Sequence, residues 1–277
     1  MIIDFRLRPP YEGYLGTQMY SAQTIGWINR VIGTSMPDGP VAALESSMPK
    51  LLQEMDEAGV TTGVTLGRHR PGTEIPNEVL LRLTQEYPGR FVALASVDVV
   101  DTQHGIAMID KAIGEYKFPG ISLDLSVLGR RVDDKRLYPI YEHCSKRGCC
   151  IAITLSMLGA QEFELVDPAD LDRAARDFPK IGFVSAHGSY PYVLEVIGVA
   201  MKRDNVWLSP DMYMTHTPGG SLYVEAAQGY LQDRTLFGTA YPYTPLKDTV
   251  DRFMRLPFTD AVREKLLYKN AQRLLDL

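Results

Sequence analysis

The chain has 277 residues, 45% of them hydrophobic and 23% charged, which suits one large α/β barrel or two smaller globular domains. A net charge of −5 gives no general attraction to nucleic acid or to an anionic membrane surface. No long uncharged apolar run is present to span a bilayer, and the opening residues lack the basic and apolar regions of a secretory leader.

The first stretch, Ile2-Ile3-Asp4-Phe5-Arg6-Leu7-Arg8-Pro9-Pro10, reads as a strand that two prolines stop at once. Side chains alternate along a strand, which predicts Asp4, Arg6 and Arg8 on one side and Phe5 and Leu7 on the other. Two guanidinium groups aimed into one space are costly unless an anion or paired carboxylates sit between them. Residues 11–40 then form a long segment with four tyrosine or tryptophan residues, and 22–32 has room for a helix. A loop of this length with so many aromatics is expected to be a lid over the barrel.

Strands and helices alternate from there. Apolar strands are predicted at 60–66, 91–97, 120–125, 149–155, 181–186, 205–208 and 235–238. Helices are predicted at 47–58, 77–87, 102–116, 136–147, 167–178, 191–202, 221–231 and 257–277, several ended by glycine or proline. The cysteines Cys144, Cys149 and Cys150 are odd in number, clustered and without zinc-site spacing. They read as buried bulk in a reducing cytoplasm.

With the first, these make eight apolar strands, and no linker divides the chain. The expectation is one domain over 1–277, a (β/α)8 TIM barrel with parallel, buried strands. Polar residues recur just after the strands: Arg6, Arg8, Arg68, Asp98, Asp124, His187 and Asp211. Barrel active sites are built at those ends. Neither a G-x-G-x-x-G nor a Walker motif supports a nucleotide-binding sheet.

Several stretches carry a resemblance. They are Ile2-Ile3-Asp4, residues 148–156, Val184-Ser185-Ala186-His187-Gly188, Leu236-Phe237-Gly238-Thr239-Ala240-Tyr241-Pro242 and Asn270-Ala271-Gln272-Arg273-Leu274-Leu275. In this order and spacing the chain resembles the amidohydrolase superfamily, in the branch of the aminocarboxymuconate-semialdehyde decarboxylase-like enzymes. The resemblance implies the same barrel fold. It also places the family's metal-ligand positions. The two first-strand histidines fall on Arg6 and Arg8, the fifth-strand histidine on Thr154 and the eighth-strand aspartate on Ala240; the sixth-strand histidine is kept as His187. A guanidinium has five donors and no acceptor, so no metal or other cofactor is expected here. Metal-independent pyrone-dicarboxylate lactonases of the wider superfamily supply a precedent by analogy.

Arg6 and Arg8 thus read as an anion clamp, or else as internal ion pairs with Asp4, Asp124 or Asp211. His187 reads as a general acid/base, or as a core histidine. Asp211 orients His187, balances the arginines or caps a turn. Arg68 and Asp124 are further candidates for substrate contact, with surface solvation the alternative. Tyr241 offers a hydroxyl, with packing as the alternative. His69, His104, His143 and His216 lack metal-like spacing. The function expected is a metal-independent enzyme on a small carboxylate, as a hydrolase of a lactone or similar bond or as a carboxy-lyase. The alternative is a non-catalytic anion-binding or scaffold barrel. A small anionic substrate is the expected partner, without nucleic acid or membrane; a homo-oligomer is left open.

Overall fold

Among the described residues, seven parallel strands build the barrel wall, hydrogen-bonded to one another in chain order. They are β1 (Ile3–Asp4), β2 (Thr62–Leu66), β5 (Phe91–Ser96), β6 (Gly120–Leu123), β7 (Cys150–Ser156), β8 (Phe183–Tyr190) and β9 (Val206–Ser209). β3 (Arg68–Arg70) and β4 (Thr73–Ile75) form a separate antiparallel hairpin that has no counterpart among the predicted strands. The structure, a computed structural model, describes residues 1–33 and 39–277; residues 34–38 of the expected lid segment lie outside the described residues. No helix among the described residues is long and apolar enough to cross a membrane.

The eighth strand position is filled by residues 235–241, which make bridges rather than a continuous ladder. Thr235 pairs with Leu208 of β9, and Tyr241 pairs with Leu7 beyond β1. The Leu236 amide donates to the Leu208 carbonyl at 2.8 Å, and the Phe5 amide to the Phe237 carbonyl at 2.8 Å. These bonds close the wall between β9 and β1. The segment stays irregular because Thr239 turns toward Asp4, donating to its carboxylate through both amide (2.9 Å) and hydroxyl (2.5 Å).

Ile3, Phe5, Val64, Leu66, Leu94, Ala152, Val184 and Leu236 fill the barrel interior, joined by Ala271 and Leu275 from the C-terminal helix Asn270–Leu275. Leu7 instead joins the larger cluster shared by the outer strand faces and the helices. This corrects the simple alternation predicted for the first strand, since Phe5 and Leu7 lie in different layers. The physical reason is local. The Arg6 amide donates to Asp4 Oδ1 at 3.0 Å, so the chain turns and leaves strand geometry right after Asp4. The three cysteines are free and buried.

At Gly67, where β2 passes into the hairpin, an added Cβ would stand 2.3 Å from the Ser96 amide nitrogen. Backbone cannot yield as a flexible side chain can. Gly67→Ala is therefore expected to cost about 1–3 kcal/mol of stability through overpacking. A urea unfolding curve checks this, and a midpoint equal to wild type would show that β2 and β5 spread without penalty.

Candidate active site

The C-terminal ends of the strands open into a cavity of about 270 Å³. The N-terminal segment covers it. Helix Ala22–Ile32 starts at Ser21, whose hydroxyl accepts from the Thr24 amide at 3.1 Å, and stops at Gly33, where φ is +65°. Tyr14 anchors the segment by donating to the Leu66 carbonyl at 2.9 Å, and Tyr20 does so by donating to the Arg8 carbonyl at 2.6 Å. Gln18, Met19, Thr24, Trp27 and Ile28 from this segment line the cavity.

Four guanidinium groups, those of Arg6, Arg8, Arg68 and Arg70, line the same cavity with one carboxylate, Asp124. Arg6 is 1% exposed. Its Nη2 donates to Thr154 Oγ1 at 3.0 Å, and its Nε sits 3.5 Å from Asp211 Oδ2. Its Nη1 meets no acceptor among the described residues. Burial, with the nearby charges of Arg8 and Arg68, pulls the Arg6 guanidinium down to about 9, so it stays protonated at neutral pH. Arg8 spends Nη1 on the carbonyls of Ala240 (3.0 Å) and Tyr241 (3.1 Å), lies 4.9 Å from the centre of the Tyr243 ring, and leaves Nε without a partner among the described residues.

Arg68 is better matched. Its Nε contacts Asp124 Oδ2 at 2.6 Å, and its Nη1 donates to Ser122 Oγ and to the Gly67 carbonyl. Arg70 Nε reaches the same Asp124 oxygen at 3.2 Å. Burial pushes the Asp124 carboxyl up, but Arg68, Thr154, Arg70 and Arg6 together outweigh it and hold it below the usual carboxylate range. Asp4 is not an ion-pair partner. It is fully buried and committed to Thr239 and the Arg6 amide.

His187 is 4% exposed and lies within β8, just past Ala186 where the regular pairing with β7 breaks, with φ at +71°. Burial, then the fields of Arg6, Arg8 and Arg68, push its imidazole well below the usual histidine range, so it is neutral at pH 7. Its Nδ1 lies 3.2 Å from Asp211 Oδ2. Asp211 also accepts from Ser209 Oγ at 2.5 Å through Oδ1. Burial raises the Asp211 carboxyl to about 6, against the pull of Arg6 and the Ser209 hydrogen bond. Asp211 and Ala240 share the positive backbone angle of His187, at +54° and +64°. Non-glycine residues rarely adopt it, and such residues cluster at functional sites.

The structure thus brings Arg6, Arg8, Arg68, Asp124 and His187 to one cavity, with Asp211 directly behind His187. Tyr241 is not brought there. It is fully buried, and burial with nearby Tyr20 and Glu54 pushes its phenol well above the ordinary value; only its backbone carbonyl serves the site, through Arg8. Arg70, Ser122 and Tyr243 were not read from the sequence as site residues, whereas the Trp27 helix falls in the segment expected to be a lid. Arg70 had a signal, since it lies two residues from Arg68 and a strand returns to the same side every second residue.

Comparison with known proteins adds the family. A sequence profile described as Amidohydrolase matches residues 3–277. A TIM-barrel protein from Bordetella bronchiseptica, described as uncharacterized, is 34% identical, with a TM-score of 0.94 over 99% of this chain and 98% of that one. The 5-carboxyvanillate decarboxylase of Sphingomonas paucimobilis shares the fold at 14% identity, with a TM-score of 0.73 over 100% and 99% of the two chains. A 2-amino-3-carboxymuconate-6-semialdehyde decarboxylase from Dictyostelium discoideum is 34% identical over 77 residues, which are 28% of this chain and 21% of that relative. With the profile spanning nearly every residue, this chain belongs to the amidohydrolase family.

Proposed function

We propose that the chain is an enzyme acting on a small carboxylate, a carboxy-lyase that uses a guanidinium cluster where related barrels use a metal. One observation carries this reading: Arg6 is buried at the cavity with Nη1 donors that meet no acceptor among the described residues. A buried cation left half-satisfied is expensive, and a bound carboxylate would relieve the cost. A scaffold barrel would be expected to pair its arginines internally. Arg68 fits that pattern; Arg6 has only a long 3.5 Å contact with Asp211, and Arg8 has no carboxylate partner among the described residues.

The donor set does not fit a divalent cation at the barrel mouth. Arg6, Arg8 and Arg68 are positive and offer no lone pair, Thr154 Oγ1 is engaged by Arg6, and Ala240 has no donor side chain. What remains is His187, Asp211 behind it, and Asp124, whose Oδ2 is already held by Arg68 and Arg70. Fixed positive charges can hold a carboxylate and stabilise a developing oxyanion, though they cannot acidify a water by coordination.

In this reading the substrate carbon–carboxylate bond breaks, carbon dioxide leaves, and the electron pair stays on the substrate carbon. His187 supplies a proton to that carbon. A bound anion offsets the guanidinium field that keeps the imidazole neutral, so binding itself raises its proton affinity. The decarboxylases among the relatives support this choice. Lactone hydrolysis is the second reading, favoured by the contact of Asp211 with His187 Nδ1, which leaves Nε2 to take a proton from water. The helix carrying Trp27 would act as the lid that excludes bulk water.

A panel of aromatic and unsaturated carboxylates and of carboxylated lactones, assayed for carbon dioxide release and for ring opening, tests the choice. Carbon dioxide release from at least one substrate is expected. Turnover by chelator-treated protein should stay within about twofold when Mn2+ or Zn2+ is restored, because the barrel mouth offers too few ligands for either. Turnover that requires the added ion would assign the chemistry to a metal.

A further inference from the structure

The hairpin β3–β4 and the helix after β5 meet outside the barrel mouth, and three potential metal ligands meet there with them. His69, Asp98 and His104 each bring one ligand atom within 4.8 Å of the others, the one such grouping among the described residues. These histidines have no metal-like spacing along the chain, and the fold corrects that expectation by bringing distant segments together. Strand alternation explains the arrangement. Arg68 and Arg70 turn to the cavity, so His69 between them faces the other way.

We propose that this cluster is a binding site for one zinc-class divalent cation, distinct from the barrel-mouth site and independent of the reading given for it. His69 Nε2 and His104 Nδ1 lie 3.4 Å and 3.1 Å from the same oxygen, Asp98 Oδ2. Zinc bonds of about 2.0–2.1 Å in a tetrahedron put ligand atoms about 3.3 Å apart. The observed separations bracket that edge length. Two imidazoles and a carboxylate make a set zinc favours, with a fourth position left for water.

The surroundings hold each ligand in place. Asp98 Oδ1 accepts the Val100 and Asp101 amides at 2.8 Å and 2.9 Å, which leaves Oδ2 turned to the histidines. Glu74 Oε1 contacts His69 Nδ1 at 2.8 Å, the carboxylate–histidine support that fixes the tautomer and frees Nε2 for a metal. Asp101 caps the first turn of helix Thr102–Ile109 by accepting from the His104 amide at 3.1 Å, which sets the position of His104. A surface cavity of about 310 Å³ gives access, and the nearby Lys111 is already paired with Glu78 at 2.8 Å. A cation here would staple the hairpin to that helix. Asp124 holds Arg68 and Arg70 with or without it, so the ion should raise thermal stability and leave turnover unchanged.

Untagged, chelator-treated protein titrated with Zn2+ by calorimetry, and with Co2+ by visible absorption, tests the site. One equivalent is expected to bind, with the intense Co2+ bands of a four-coordinate centre and a melting temperature several degrees higher. Glu74→Gln should weaken zinc by about ten- to a hundredfold. His69→Ala with His104→Ala should abolish binding and the melting shift, whereas His187→Asn should keep both. Absence of binding in wild type, or binding kept by the double variant, would overturn the proposal. Binding lost only in His187→Asn would place the metal in the barrel and overturn it too.

Discussion

Replacing Arg6 by Met is expected to weaken binding of a small carboxylate by about ten- to a hundredfold, because a charge-assisted hydrogen bond in a desolvated cavity is worth about 1.5–3 kcal/mol. The fold should survive. Among the described residues Arg6 Nη2 holds only the Thr154 hydroxyl, its Nη1 holds nothing, and its Nε pairs with Asp211 at a long 3.5 Å. Removing the guanidinium leaves Asp211 without that partner. Its carboxyl, already raised to about 6, would then rise further and take up a proton rather than stay buried as an unpaired charge. Arg8 is a poorer probe, since its Nη1 ties Ala240 and Tyr241 to the first strand. Calorimetry against mono- and dicarboxylates, with thermal melts of both proteins, decides the matter. Wild type that binds none of them, together with an Arg6→Met protein melting several degrees lower, would make Arg6 a structural residue.

The barrel was legible because buried parallel strands are apolar runs, and the runs from Val64 to Leu236 stand out against polar loops. Arg6 and Arg8 were legible for the opposite reason, as charges inside such a run. Their common cavity was reached by an argument that failed in detail, for Asp4 turns the chain and sends Phe5 inward. Thr73-Glu74-Ile75 is too short and too polar to announce a strand, so the hairpin was missed. With it went the meeting of His69 with Asp98 and His104, which depends on the placement of a hairpin against a helix and leaves no periodicity to read. Asp124 was seen as a residue after a strand, but its role as the shared partner of Arg68 and Arg70 needed coordinates. Long-range ion pairs do not alter local pattern, and single-sequence reasoning sees only local pattern.

His187→Asn is expected to lower kcat by about 10²–10⁴-fold while carboxylate affinity changes little, the signature of a lost proton carrier rather than a lost binding group. Asparagine is the appropriate replacement because His187 has φ at +71°, and Asn tolerates that left-handed conformation as most side chains do not. The pH dependence adds a second readout. Asp211 titrates near 6, so kcat/KM should fall as pH drops through about 6, where the protonated carboxyl no longer offers a negative charge to His187 Nδ1, 3.2 Å away. Asp211→Asn should remove that limb, with the two groups read as one coupled pair. Stability should move the other way. The folded Asp211 binds its proton more tightly than the unfolded one, whose ordinary value is 3.8, so its contribution is fully present below that value and is lost as pH rises through about 6. Relative to wild type, Asp211→Asn should therefore melt higher at pH 7 than at pH 4. Wild-type kcat in His187→Asn, or a stability difference that ignores pH between 4 and 7, would remove the pair from the chemistry and leave the arginines as an anion site alone.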